Sequence, residues 1–246
     1  MLVSDVTRLN ASGMLSFESS EFNLSLLRYH KALDSIKKLR RQNNEDWKDM
    51  ISACVLDRVN SSFSHKNIFQ PLAIDNALME LDRNDWCWIA TLTVMNNAAL
   101  VHYTMGQLTS AEEMLKLAVS MIERRTKQCD FDAMLEKQKA VSVVVVSIYL
   151  SLARVLFHRR ATKSNAKLRK IMVTFHLATK LGRRFLGKHP IVAGAYTFMG
   201  HMLLHQARME DAMTAFEIAS QIYSFPFDQP PIIGVAGLDQ THAAAA

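Results

Sequence analysis

His201 and His205 stand in the spacing H-x-x-x-H, which puts two imidazoles on one face of a helix, where they could share a metal. No Glu follows His201 to serve as a base, and the sequence places no third ligand nearby, so the pattern implies no metal site. Other reactive arrangements are also missing. There is no Gly-rich phosphate loop, no G-x-S-x-G turn, and no Cys/His or carboxylate grouping with a recognisable spacing. Asp130 and Asp132 suit the start of a helix, and Glu112 and Glu113 suit ordinary exposed positions. The chain reads as a non-enzyme without a cofactor.

Charge carries the strongest chemical bias. The net charge is +6, yet residues 137–209 hold fourteen Lys/Arg and no Asp or Glu, while residues 210–246 hold five acids and no Lys or Arg. Within the basic segment, Arg159, Arg160, Lys163, Lys167, Arg169, Lys170, Arg183 and Arg184 form a patch on a turn and the helix after it. One reading is a solvated face partly neutralised by acidic helices nearby. The other is an anion-binding surface for RNA or lipid over residues 154–188, where clustered cations gain affinity by counterion release. Aromatic residues are not interleaved with the patch, which argues against single-strand stacking.

These residues need elements to position them, and the composition selects helices. Apolar residues make up 49% and charged residues 21%, with only eight Gly and five Pro to make turns. Small residues recur in one register: Ala99, Gly106, Ala111 and Ala118, then Gly200, Ala207, Ala212 and Ala219. Large ones fill the seams between them: Met95, Leu108 and Leu115, then Tyr196, Met209 and Phe216. A helix-turn-helix written twice in one register predicts an all-α, right-handed superhelical stack of repeats.

Four regions follow. Residues 1–20 are Ser-rich and expected to fray, 21–84 form a degenerate helical region, 85–225 hold the repeats, and 226–246 form a flexible tail. Asp85 is the expected cap of a helix over 86–105, whose partner ends near Lys127. Further pairs are expected near 133–159 and 164–186, and near 190–206 and 209–223, with Pro190 in a first turn. The seventeen-residue run VSVVVVSIYLSLARVLF (141–157) is shorter than the roughly twenty residues that span a bilayer and is interrupted by Arg154. It reads as the central buried helix, with a strand and a membrane span as alternatives. No transmembrane segment is inferred. Cys54, Cys87 and Cys129 form no C-x-x-C pair, and no secretory signal is visible. A reducing compartment is expected, the cytoplasm or alternatively the nucleus. The N-x-S sequons at Asn10, Asn23 and Asn60 then carry no meaning.

With these residues in view, the chain resembles the tetratricopeptide repeat family. Ala99, Ala111, Leu115 and Ala118 match its motif in one unit, and Gly200, Ala212, Phe216 and Ala219 in the last. A middle unit fits through Ala153, Phe175 and Ala178 with about six extra residues between its helices, and Tyr29 with Ala32 gives a degenerate first match. Residues 188–219 look like a kinesin-light-chain-type repeat through His189-Pro190, Val192-Ala193 and the triplet 210–212, and Asn96-Asn97 is similar to that subfamily's paired asparagines. The long heptad segment of a kinesin light chain is missing.

The resemblance implies a protein-interaction scaffold whose first helices line a concave groove, with second helices, and so the basic patch, on the convex side. Carried over, the groove positions are Thr93, Asn96, Asn97 and Tyr103, then Ser147, Ser151, Arg154 and His158, then Thr197, His201 and His205. An Asn amide can bracket a peptide backbone with a donor and an acceptor, and Arg can grip a carboxylate with two parallel hydrogen bonds. The implied ligand is an extended, acidic peptide of a protein partner.

Overall fold

The computed structural model describes residues 2–41, 72, 74, 81–128, 130–160 and 165–224. Among these residues there are nine helices and no strand: α1 (Leu2–Glu18), α2 (Phe22–Arg40), α3 (Arg83–Thr104), α4 (Leu108–Thr126), α5 (Phe131–Lys137), α6 (Lys139–Arg160), α7 (Asn165–Phe185), α8 (Pro190–His205) and α9 (Met209–Tyr223). Eight of them pack as consecutive pairs, α1/α2, α3/α4, α6/α7 and α8/α9. Each second helix then packs on the next first helix, α2 on α3, α4 on α6 and α7 on α8. The fold is an all-α stack of helix-turn-helix units.

Small residues set how closely each pair approaches. A Cβ built on Gly200 would lie 2.7 Å from the Phe216 ring, and one on Gly13 would lie 2.5 Å from the Tyr29 ring. In both pairs the large residue follows the small one by sixteen positions, as Leu115 follows Ala99, and a buried Ala follows three later at 32, 118 and 219. The middle unit keeps the pattern through Ala153, Phe175 and Ala178, all fully buried. The turn inside α3/α4 uses Gly106 at φ +74°. Its counterpart inside α8/α9 puts Ala207 at φ 56°, in the left-handed region that a Cβ disfavours.

Several boundaries differ from the expectations. Residues 2–18 do not fray but form α1, because Val3, Val6 and Met14 make an apolar stripe at helical spacing and are buried. Ser25 Oγ also donates to the Gly13 carbonyl at 2.8 Å, and Arg28 Nη1 to the Ser12 carbonyl at 2.7 Å, tying α2 to α1. The cap of α3 is Asp82, whose carboxylate accepts the Asp85 N–H at 2.9 Å. Asp85 lies one turn in and pairs with Arg125 of α4. The helix expected near 133–159 is divided, since Gln138 is extended (φ −129°, ψ 91°) between α5 and α6. Asp130 caps α5 by accepting the Ala133 N–H at 3.1 Å.

The valine-rich run lies in α6, where residues 140–153 are all buried. Among the described residues, one helix is long and apolar enough to cross a membrane, Lys139–Arg159, and 89% of its apolar window is buried inside the stack. Neighbours α3, α4 and α7 surround it, which accounts for apolar residues on every side. The tail 226–246, most of 45–80, Cys54 and Cys129 lie outside the described residues.

Candidate functional site

α3 is buried almost all round, and that changes the meaning of its polar residues. Thr93, Asn96 and Asn97 were expected on an open groove face but are 0%, 1% and 0% exposed. Thr93 Oγ1 donates back to the Ile89 carbonyl at 2.9 Å, which satisfies it within its own helix. Asn97 meets the chain's own backbone. Its Oδ1 accepts the Leu72 N–H at 2.6 Å, and its Nδ2 donates to the Leu72 carbonyl at 2.7 Å. Asn10 of α1 joins them, its Nδ2 donating to the same carbonyl at 2.9 Å while its Oδ1 accepts from Asn97 Nδ2 at 2.9 Å.

Asn10 is therefore no glycan acceptor; it is 1% exposed. It precedes Gly13 by three residues, as Asn96 precedes Ala99, and that repeated offset is the signal that would have placed it beside the groove asparagines. Ser147 and Ser151 on α6, also expected to be open, are buried at 5% and 6% exposure.

The open part of the inner face lies toward the C-terminal ends of α3, α6 and α8. Tyr103 Oη and His158 Nδ1 are 2.6 Å apart, with ring centroids 5.4 Å apart. The Arg154 guanidinium stands 4.6 Å from the Tyr103 ring centre and hydrogen-bonds its hydroxyl. The order Arg154, Tyr103, His158 then has the phenol accepting from Arg154 and donating to Nδ1, which leaves His158 neutral with its proton on Nε2. Burial, assisted by the Arg154 charge, holds His158 below the ordinary 6.5. Burial raises the Tyr103 hydroxyl, opposed by Arg154, and lowers Arg154, opposed by Tyr103.

Aromatic side chains that the sequence did not mark as groove residues complete this cluster. Phe198 of α8 stacks on Phe175 at 5.2 Å and meets Phe157 edge-on at 5.8 Å. Phe157 in turn contacts His205 at 5.5 Å. They were legible only as core periodicity, since nothing distinguishes an apolar ring at a groove from one in a seam.

Not every groove position converges. His201 packs on Phe216 of α9 at 5.1 Å. Burial, then the nearby His205, lowers its pKa from 6.5. Thr197 is engaged by Tyr223, also of α9. Among the described residues no group of three His, Cys, Asp or Glu side chains comes together to hold a metal.

The basic patch is partly engaged by the chain's own acids. Arg159 pairs with Glu112, which is fully buried rather than exposed as expected and also meets Lys116 at 2.6 Å. Arg184 pairs with Asp132 at 2.7 Å and reaches Glu136 at 3.9 Å. Arg183 donates to Tyr196 Oη at 3.5 Å, and Arg169 is exposed. Lys163 and the side chains of Arg160, Lys167 and Lys170 lie outside the described set.

A tetratricopeptide repeat family model matches residues 91–125, which cover most of α3 and all but the last residue of α4. The match makes the α3/α4 pair a tetratricopeptide-like unit within the stack. No curated protein and no solved structure matches the chain. The matched stretch is the tetratricopeptide-like pair that carries Asn97 and Tyr103. It does not include 188–219, so the kinesin-light-chain likeness goes beyond what the match shows.

Proposed function

We propose that this tetratricopeptide-like stack is a non-enzymatic protein-interaction scaffold that holds an extended, acidic peptide of a partner along its inner helices. The observation that carries the reading is the Asn97 amide, which brackets both backbone groups of Leu72 at 2.6 and 2.7 Å. A helix face that already holds one residue by both its main-chain groups has the chemistry to hold a peptide. Further along that face Arg154, His158 and His205 supply a cation and two imidazoles, donors suited to carboxylates, with Tyr103 holding Arg154 and His158 in place. The kinesin-light-chain-like register of 188–219 supports the same reading, because it sets Phe198 and His205 on the inner helix α8.

The competing reading, RNA or anionic lipid on the basic 154–188 segment, has less support, because Arg159 and Arg184 already face Glu112, Asp132 and Glu136. Calorimetric titration with a Glu-rich peptide and its Gln counterpart separates the two. The groove reading expects Arg154→Ala to weaken the Glu-rich peptide about tenfold, the loss of one charge-assisted contact, while Lys167/Arg169/Lys170→Glu leaves it unchanged. The reverse pattern would move the site to the convex face.

A further inference from the structure

We propose that the exposed apolar face of α9, together with Leu204 of α8, is a second docking site, which takes a partner's amphipathic helix whose apolar stripe is bordered by Lys or Arg. The site is separate from the peptide-holding inner face and does not depend on it.

The repeat offset shows what this face is shaped to carry. Tyr103 follows Ala99 by four residues and meets Arg154 and His158 of α6, the first helix of the next pair. Phe157 follows Ala153 by four and meets Phe198 and His205 of α8, again the next first helix. Leu204 follows Gly200 by four, and among the described residues no helix comes after α9 to meet it. Two further offsets agree. Glu112, thirteen after Ala99, is fully buried against Arg159 of α6, whereas Met213, thirteen after Gly200, is 60% exposed. Ile122, twenty-three after Ala99, is 1% exposed, whereas Tyr223, twenty-three after Gly200, is 39% exposed. Positions that seat a first helix elsewhere in the stack are open here, and they carry large apolar side chains. A helix is the element that fits such a seat.

Charge selects which helix. Glu210 and Glu217 stand three before and four after Met213, so they border it on one side of α9, and both are exposed. No Lys or Arg lies within α9. A helix seated on Met213 places its own border residues opposite these two carboxylates, where Lys or Arg is attracted and Asp or Glu repelled. A second copy of α9 would bring the same carboxylates against each other. Residues 226–246 carry Asp228 and Asp239 and no Lys or Arg, so they lack the complementary charge.

The test titrates the full chain with two labelled synthetic helical peptides and follows fluorescence anisotropy. One carries Leu at helical spacing bordered by Lys, and the other has Glu in place of each Lys. The Lys-bordered peptide should bind, and the Glu-bordered one should bind at least about tenfold more weakly. Met213→Lys should weaken the Lys-bordered peptide at least about tenfold, and Glu210→Gln/Glu217→Gln about fivefold. High salt should erase the difference between the Gln variant and the unaltered chain. All three positions are exposed, so the circular dichroism of each variant should match that of the unaltered chain. No binding of the Lys-bordered peptide, or binding indifferent to Met213→Lys, overturns the proposal. Two other results overturn it in favour of another occupant. One is a dimer of the unaltered chain, seen by light scattering, that Met213→Lys dissociates. The other is peptide binding that appears only after deletion of 226–246.

Discussion

Gly200 and Phe216 touch so closely that a methyl group on Gly200 would sit 2.7 Å from the ring. The contact closes the last helix pair and can be tested by overpacking. Gly200→Ala should lower stability by about 1–3 kcal/mol, read as a shift in the urea midpoint. Phe216→Leu in the same chain should return part of the loss, because it removes the ring edge the new methyl meets. A Gly200→Ala protein as stable as the parent would show that the pair is not packed as described.

That contact shows what was legible in the sequence. The small-to-large offset of sixteen residues gave the pairing at 99/115 and 200/216, and with it the all-α stack. The same offset at Gly13 and Tyr29 was hidden by the Ser-rich composition of α1, whose buried stripe rests on a few valines and a methionine. The groove was less legible. Position on the first helix located Asn97, Tyr103 and Arg154, but a repeat register cannot say what covers a helix face. Leu72 comes from twenty-five residues upstream of Asn97 and buries it. Glu112 escaped for a related reason, since its partner Arg159 is forty-seven residues away.

The two turns offer a matched pair of backbone substitutions. A methyl group added at Gly106 would meet nothing within 4 Å, so Gly106→Ala tests φ strain alone and should cost about 1 kcal/mol. Ala207 already bears that strain at φ 56°, and Ala207→Gly should raise stability by up to about 1 kcal/mol after the entropy gained by the unfolded chain is subtracted. Thermal melts of both variants check the opposite signs.

His189 makes stability depend on pH. Its Nδ1 accepts the Ile191 N–H at 3.2 Å, capping α8, and burial, then the Lys139 charge, lowers its pKa from 6.5 to about 4. The folded state keeps the imidazole neutral while the unfolded chain protonates it below 6.5, so its contribution is full above 6.5 and is lost as pH falls toward 4. The loss should be about 3 kcal/mol over that window. His189→Asn keeps a capping acceptor that does not titrate. Denaturation curves between pH 7 and 4 should show a shallower decline for the variant.

Arg159 belongs to the basic patch by sequence but pairs with a buried carboxylate. Removing it leaves the fully buried Glu112 carboxylate with one fewer cation. Arg159→Ala should therefore cost about 2 kcal/mol, whereas Arg169→Ala, at an exposed position, should stay within about 0.5 kcal/mol. Guanidinium denaturation of the two variants makes the comparison.

The most direct measurement is the imidazole spectrum of the ¹⁵N-labelled protein during titration with an acidic peptide. On the inner face, the peptide should shift the His158 and His205 signals and raise the pKa of His158, which burial and Arg154 hold below 6.5. Affinity should then increase as pH falls through that range, because binding takes up a proton. Unmoved His158 and His205 signals, with shifts confined to the backbone around Arg169 and Arg183 on α7, would contradict a peptide-holding inner face.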